Sequence, residues 1–169
     1  MPVQRLNHAV LYVRDVERSS AFYRDVLGFR AKMEMPGAVF LQAEGSTNDH
    51  DLGLFQIGAA AGASTAGRST VGLYHLAWEV DTLVELARIR DALLQAGALV
   101  GASDHGATKA LYAQDPDGIE FEVSWLLPAD LITPEVTAGG AMTAPLDLER
   151  EIERYGADTR GGVGVSIPV

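Results

Sequence analysis

The chain has 169 residues, 47% apolar and 21% charged, with no cysteine and a formal net charge of −10. That length buries one substantial core, the lack of cysteine excludes disulfides, thiolate ligands and cysteine nucleophiles, and the negative charge disfavours nucleic acid and anionic membrane as partners. No apolar run approaches the roughly 18 residues that span a bilayer, and MPVQRLNHAV lacks the basic and apolar stretches of a signal peptide, so a cytoplasmic protein acting on a small molecule is expected.

The first segment, LNHAVLYVRDV (6–16), alternates as a strand with Ala9, Leu11 and Val13 on one face and His8, Val10 and Tyr12 on the other. Asp15 is placed to cap a helix whose apolar positions Val16, Phe22, Tyr23, Val26 and Leu27 recur at helical spacing, and Gly28 ends it. VFLQA (39–43) and DLGLFQI (51–57) read as strands. AAAGASTAGRS (59–69) has the small, flexible composition of a linker.

The same order then returns. LYHLAWEVDTL (73–83) falls on LNHAVLYVRDV at an offset of 67 residues, placing His75 on His8 and Val80 on Val13. Thr82 and Glu85 form a capping-box pattern before Leu83, Leu86, Ile89, Leu93 and Leu94, with Gly97 at the exit. ALYAQ (110–114) and IEFEVSW (119–125) follow as strands. The chain therefore reads as one α+β domain over 1–126 made of two βαβββ modules: module one 4–58, linker 59–70, module two 71–126. A sheet with one helix covers only one of its faces. Two such sheets are expected to curve into a partly open β-barrel, whose inner polar side chains call for a ligand.

Residues 127–169 read as a C-terminal extension. LLPADLITPEVTAGGAMTAPLD has the composition of a wandering connection, and a short helix is expected near 146–156. Its Leu146, Leu148 and Ile152 would dock on the barrel or on a second subunit. TRGGVGVSIPV carries no motif, and a tail lying over the cavity mouth would help to exclude water. A homo-oligomer is expected.

In the last strand Ile119, Phe121, Val123 and Trp125 alternate with Glu120, Glu122 and Ser124. His8, His75 and Glu122 thus share the face opposite the helices. Taken singly, each has an ordinary explanation, since a strand-end histidine is usually a hydrogen-bonded structural group and a strand glutamate is usually solvated. The repeat is what singles out the two histidines. Two imidazoles and one carboxylate with vacant positions suit a non-haem Fe(II) centre, and Mn(II) accepts the same donors. Lys109 and Asp104 read as surface residues.

The segment His105-GATKA-Leu111-Tyr112-AQ-Asp115-Pro116-D-Gly118-IEF-Glu122 resembles the extradiol ring-cleavage dioxygenase signature of the vicinal oxygen chelate superfamily, in its one-domain, catechol 2,3-dioxygenase-like form. Ser103 is the one departure from that pattern. The resemblance spans about residues 5 to 126 and implies the vicinal oxygen chelate fold. It also implies His8, His75 and Glu122 as metal ligands, His50 beside the O2 position, and His105 and Tyr112 against a catecholic substrate. All four histidines of the chain then have assigned places. Tyr112 is able to hydrogen-bond a catechol oxygen, His105 to do so or to hold Tyr112, and His50 to deliver a proton.

Two other functions use this fold. A glyoxalase-like metal-dependent isomerase or lyase usually takes a fourth ligand from the last strand of module one. The spacing from His75 to Glu122, carried onto His8, lands on Phe55 beside Gln56, where no carboxylate stands. A non-catalytic drug-binding protein of the bleomycin-resistance type has no reason to keep a metal triad.

Overall fold

The computed structural model describes residues 2–65, 69–139 and 143–162. The chain forms two compact units, one made of the chain up to Thr65 together with Asp115–Gly118, the other of the remainder.

The first unit runs β1 (Ala9–Val13), α1 (Val16–Leu27), β2 (Arg30–Met35), β3 (Ala38–Gln42) and β4 (Leu52–Gln56). Its sheet has the order β1-β4-β3-β2, with β1 parallel to β4 and the other pairs antiparallel. Helix α1 starts where Asp15 accepts a hydrogen bond from the Arg18 backbone N–H at 3.0 Å. It stops at Gly28, whose φ of 75° is costly for any residue with a Cβ. Leu11 and Val13 of β1, with Val39, Leu41, Leu52 and Leu54, are buried together with Val16, Tyr23 and Val26 of α1, and each such side chain contributes about 1.5–3 kcal/mol of burial. The other face of β1 leaves Val10 and Tyr12 exposed, so the predicted alternation is the one that forms.

The second unit repeats the plan with β5 (Leu76–Val80), α2 (Leu83–Gln95), β6 (Leu99–Asp104), β7 (Thr108–Gln114) and β8 (Glu120–Leu126). The strand order β5-β8-β7-β6 matches the first sheet, and again the first strand lies parallel to the last. Thr82 caps α2, accepting from the Glu85 backbone N–H at 3.4 Å. The Glu85 carboxylate pairs with Arg88 at 2.6 Å. Phe121, Val123 and Trp125 of β8 are buried, as are Leu83, Leu86, Ile89 and Leu93 of α2. Each hydrogen-bonded sheet is open, and the two βαβββ modules of the expected α+β fold are both present.

The extension docks on its own unit. A two-residue strand, β9 (Ala144–Pro145), pairs with Ser103 and Asp104 of β6. Between them in the chain, α3 (Pro134–Gly139) follows β8, and α4 (Leu148–Tyr155) ends the regular structure. Asp147 caps α4 through the Arg150 backbone N–H at 3.1 Å, and α4 packs against α2. Further on, Ala157 O accepts from Val84 N at 3.0 Å and Thr159 O accepts from the Trp125 indole N–H at 3.1 Å. These contacts put 148–161 on the helix-bearing side of the second sheet, so the tail expected over a cavity mouth is not what these residues form. Residues 163–169 of TRGGVGVSIPV lie outside the described residues.

The Asp115–Gly118 turn is a structural anchor. Asp115 Oδ1 accepts from the Asp117 backbone N–H at 2.8 Å, while Oδ2 accepts from the Tyr23 hydroxyl at 3.2 Å. Asp117 in turn takes the Arg14 backbone N–H at 2.9 Å and its guanidinium at 2.8 Å.

Candidate functional site

In the second unit, His75 stands immediately ahead of β5, and Glu122 lies on the neighbouring strand β8 opposite Ala77. His75 Nε2 is 3.3 Å from Glu122 Oε2. Two donors bound side by side on one metal, each about 2.1 Å from it, lie about 3 Å apart, so this separation fits a shared ion. His75 Nδ1 is buried and has no hydrogen-bond partner among the described residues, which leaves this imidazole without a hydrogen-bonding role there. Tyr74 packs beside the ring at 4.7 Å between centroids.

Tyr112 of β7 is the cross-strand neighbour of Glu122, and its hydroxyl is 2.9 Å from His105 Nε2. Burial, followed by the charges of Glu122 and Tyr74, holds the Tyr112 phenol above its ordinary range. It therefore remains a protonated donor at neutral pH. His105 occupies a tight turn after β6, closed by its own backbone N–H to Thr108 O at 2.9 Å. A cavity of about 230 Å³ is lined by Tyr74, His75, Tyr112, Glu120, Val100 and Gly101 among others. Since a cavity of about 150 Å³ holds benzene, this one has room for a single aromatic ring.

In the first unit, His8 directly precedes β1 and its Nδ1 is 2.8 Å from Asn7 Oδ1. The His50 ring lies 4.6 Å from that of His8, with Phe40 edge-on at 5.0 Å. His50 Nδ1 is 3.0 Å from Asp49 Oδ2, and this hydrogen bond is the main cause that lowers the Asp49 carboxyl below its ordinary value. An acceptor on Nδ1 favours the tautomer that leaves Nε2 free for a ligand or a transferable proton. His50 is thus packed with its neighbours despite sitting between two aspartates.

The six sequence-predicted residues therefore fall into two groups: His8 with His50, and His75 with Glu122, Tyr112 and His105. Among the described residues, no three His, Asp or Glu side chains already stand close enough to hold an ion. The donor chemistry of His75 and Glu122 and their spacing fit two ligands of such an ion.

The strand register also revises the position expected for a fourth ligand. Val10 and Ala77 are the second residues of β1 and β5, and they pair with Gly53 and Glu122 respectively. The counterpart of Glu122 is thus Gly53 rather than Phe55. Gln56 has another task, because its side-chain oxygen accepts from the Val16 backbone N–H at 3.1 Å and caps α1.

Three features escaped the sequence reading. Tyr74, at the repeat position of Asn7, contacts the histidine that follows it just as Asn7 does, so the offset pointed to it. Lys109, expected at the surface, is 1% exposed. Its ammonium lies 2.6 Å from Asp104 and 2.8 Å from Glu151, partners that make its burial tolerable, and Asp104 is the half-buried member of that cluster.

A family model described as the Glyoxalase/Bleomycin resistance protein/Dioxygenase superfamily matches residues 5–123. The chain is 29% identical to a catechol-2,3-dioxygenase of Bacillus subtilis (strain 168), over 92% of this chain and 53% of that protein. It is 31% identical to a biphenyl-2,3-diol 1,2-dioxygenase of Rhodococcus globerulus, over 78% of this chain and 66% of that one. The chain thus spans between half and two thirds of these relatives' length. Among solved structures, a glyoxylase/bleomycin resistance protein/dioxygenase domain from Frankia sp. EAN1pec superposes with a TM-score of 0.58 at 20% identity, covering 73% of this chain and 92% of that one. A lactoylglutathione lyase from Agrobacterium tumefaciens gives 0.54 at 23% identity, covering 73% and 95%. At these identities the structures speak for the fold alone.

Proposed function

Because the chain belongs to the Glyoxalase/Bleomycin resistance protein/Dioxygenase superfamily, we propose that it is an extradiol dioxygenase that opens a catecholic ring beside its hydroxyls with O2. The relatives named as catechol and biphenyl-diol dioxygenases support this reading. One observation carries it: the Tyr112–His105 pair stands beside the His75–Glu122 pair on one sheet. A drug-sequestering protein needs neither pair.

His75 and Glu122 would hold a divalent metal, Fe(II) with Mn(II) as the alternative. His8 joins them as third ligand on the strength of the repeat and the resemblance. The metal would supply a Lewis acid that favours the catechol anion and a redox centre for O2. Tyr112, kept protonated, donates to a catechol oxygen, and His105 fixes the direction of that hydroxyl. His50, anchored through Nδ1 by Asp49, offers Nε2 to take the proton that a catechol hydroxyl gives up and to return it when the ring opens. The protein is taken to act in the cytoplasm as a homo-oligomer, which size-exclusion chromatography with light scattering checks.

The deciding experiment is reconstitution with Fe(II) without oxygen, followed by air and a panel of catechols. A yellow ring-opened product is expected. Metal uptake with no product from any catechol overturns the proposal in favour of a glyoxalase-like isomerase. Failure to bind metal at all overturns it in favour of a binding protein of the bleomycin-resistance type.

A further inference from the structure

Lys109 lies on the helix-facing side of β7, opposite Trp125 of β8, while Tyr112 lies on the other face. The Lys109 ammonium hydrogen-bonds Asp104 Oδ1 at 2.6 Å. Its contact with Glu151 Oε2 at 2.8 Å is an ion pair off the hydrogen-bonding direction, since that oxygen has no well-aligned hydrogen-bond partner. Glu151 belongs to α4 and is 5% exposed. Buried ion pairs add little net stability, because desolvation offsets their attraction. Their geometric consequence here is specific.

Asp104 ends β6 at the turn that carries His105. The same Oδ1 that meets Lys109 also accepts from the Gly106 backbone N–H at 2.8 Å, so the ammonium and the turn share one oxygen. His105 leaves that turn to reach the Tyr112 hydroxyl. The extension touches the turn twice more: β9 pairs with Ser103 and Asp104, and Thr143 Oγ1 is 3.3 Å from His105 Nδ1.

We propose that the C-terminal extension is a working part of the site, in which Glu151, through Lys109 and Asp104, fixes the turn that presents His105 to Tyr112. Glu151 and Lys109 are positioning residues, and Thr143 is a second hold on the imidazole. That His105 and Tyr112 face substrate rests on the dioxygenase reading; the mechanical link from α4 to His105 does not.

The test replaces the buried pair as Lys109→Met with Glu151→Leu. Apolar replacement of a buried ion pair is commonly neutral or stabilising, so α4 stays docked while Asp104 loses its ammonium. In 15N-labelled, metal-free protein the ring nitrogens of His105 report its tautomer and its bond to Tyr112. Their signals are expected to move toward those of a free imidazole while the melting temperature is kept. In the Fe(II)-loaded enzyme kcat falls about tenfold, in line with the sensitivity of catalysis to ångström-scale misplacement. Glu151→Gln, which preserves the side chain's shape, moves the same signals in the same direction and decides the matter should the double variant not fold. Unchanged His105 signals in a folded variant overturn the proposal and leave the clamp as a docking device for α4. Absence of turnover in every protein, including the parent, refutes the dioxygenase reading while the imidazole signals still decide the link.

Discussion

Replacing Tyr23 with phenylalanine removes the hydroxyl that ties α1 to the Asp115–Gly118 turn. Tyr23 is 1% exposed, and its hydroxyl donates to Asp115 Oδ2 at 3.2 Å. A hydrogen bond to a charged acceptor is worth about 1.5–3 kcal/mol, and this one is longer than the usual O–H···O distance, so about 1.5 kcal/mol is expected. For a chain of this size that is roughly 3–6 °C in melting temperature. The loss also depends on pH. Burial first, then the Asp115 charge and hydrogen bond and the Asp117 charge, raise the Tyr23 phenol well above its ordinary value. Its folded pKa is therefore above its unfolded one. The stability it contributes is complete below about pH 10 and is lost as pH rises further, because the unfolded chain releases a proton that the folded chain keeps. That loss grows above pH 10 in the parent and is absent in Tyr23→Phe. Urea unfolding followed by tryptophan fluorescence at pH 8, 9, 10 and 11 should show a gap of about 1.5 kcal/mol at pH 8 that narrows between pH 10 and 11. Curves separated by a constant gap across that range would refute the reasoning.

Other substitutions separate the roles assigned above. His50→Ala should retain Fe(II) and catechol binding, measured anaerobically by calorimetry, yet lose at least about 10²-fold in turnover as befits a proton carrier; an emptied metal site would contradict its place outside the ligand set. Glu122→Gln should weaken Fe(II) binding by at least about tenfold at constant melting temperature, and unchanged affinity would remove Glu122 from the ligand set. Gln56→Ala should lower stability by about 1 kcal/mol through the lost cap on α1. Its metal affinity should match the parent's, and a drop would restore Gln56 as a ligand.

The elements that were legible in the sequence are those whose burial follows a period. In β1 Leu11 and Val13 are buried while Val10 and Tyr12 are exposed, and in β8 Phe121, Val123 and Trp125 are buried while Glu120 and Glu122 are half-buried, with buried Ser124 the exception. Alternation therefore assigns their faces, and α1 and α2 begin after Asp15 and Thr82, where capping side chains precede an apolar stripe. Strands β2 and β6 had no such signal. All of β2 is exposed, so RAKMEM has no reason to alternate, and both strands carry a register irregularity near their starts. The role of Lys109 was equally hidden. Its burial depends on Glu151, far along the chain on α4, and no local pattern relates the two. Of the site, the grouping of His105, Tyr112 and Glu122 was readable because all three lie on one hairpin and its approach. The His8–His50 contact was not, since the loop between β3 and β4 brings His50 back by hydrogen bonds of Asp51 to Ala43, Ser46 and Asn48.

Duplication makes the number of ligands a question about equivalent positions. Each module has one position ahead of its first strand, filled by His8 and His75, and one on its last strand opposite the second residue of the first, filled by Gly53 and Glu122. Gly53 is not among the glycines with a positive φ. A Cβ built there would meet Val10 Cγ2 at 3.4 Å and the Phe40 and Phe55 rings at 3.5 Å, ordinary van der Waals contacts. Neither backbone strain nor crowding at Cβ therefore demands glycine. The missing fourth donor is a property of the sequence that the fold does not impose. An enzyme that must seat two catechol oxygens and O2 on one ion has a use for that vacancy, whereas a site closed by four protein donors leaves fewer positions for them. The asymmetry between the modules thus bears on the proposed reaction more directly than the proposed triad does, because a triad alone is compatible with any of the metal chemistries this fold supports.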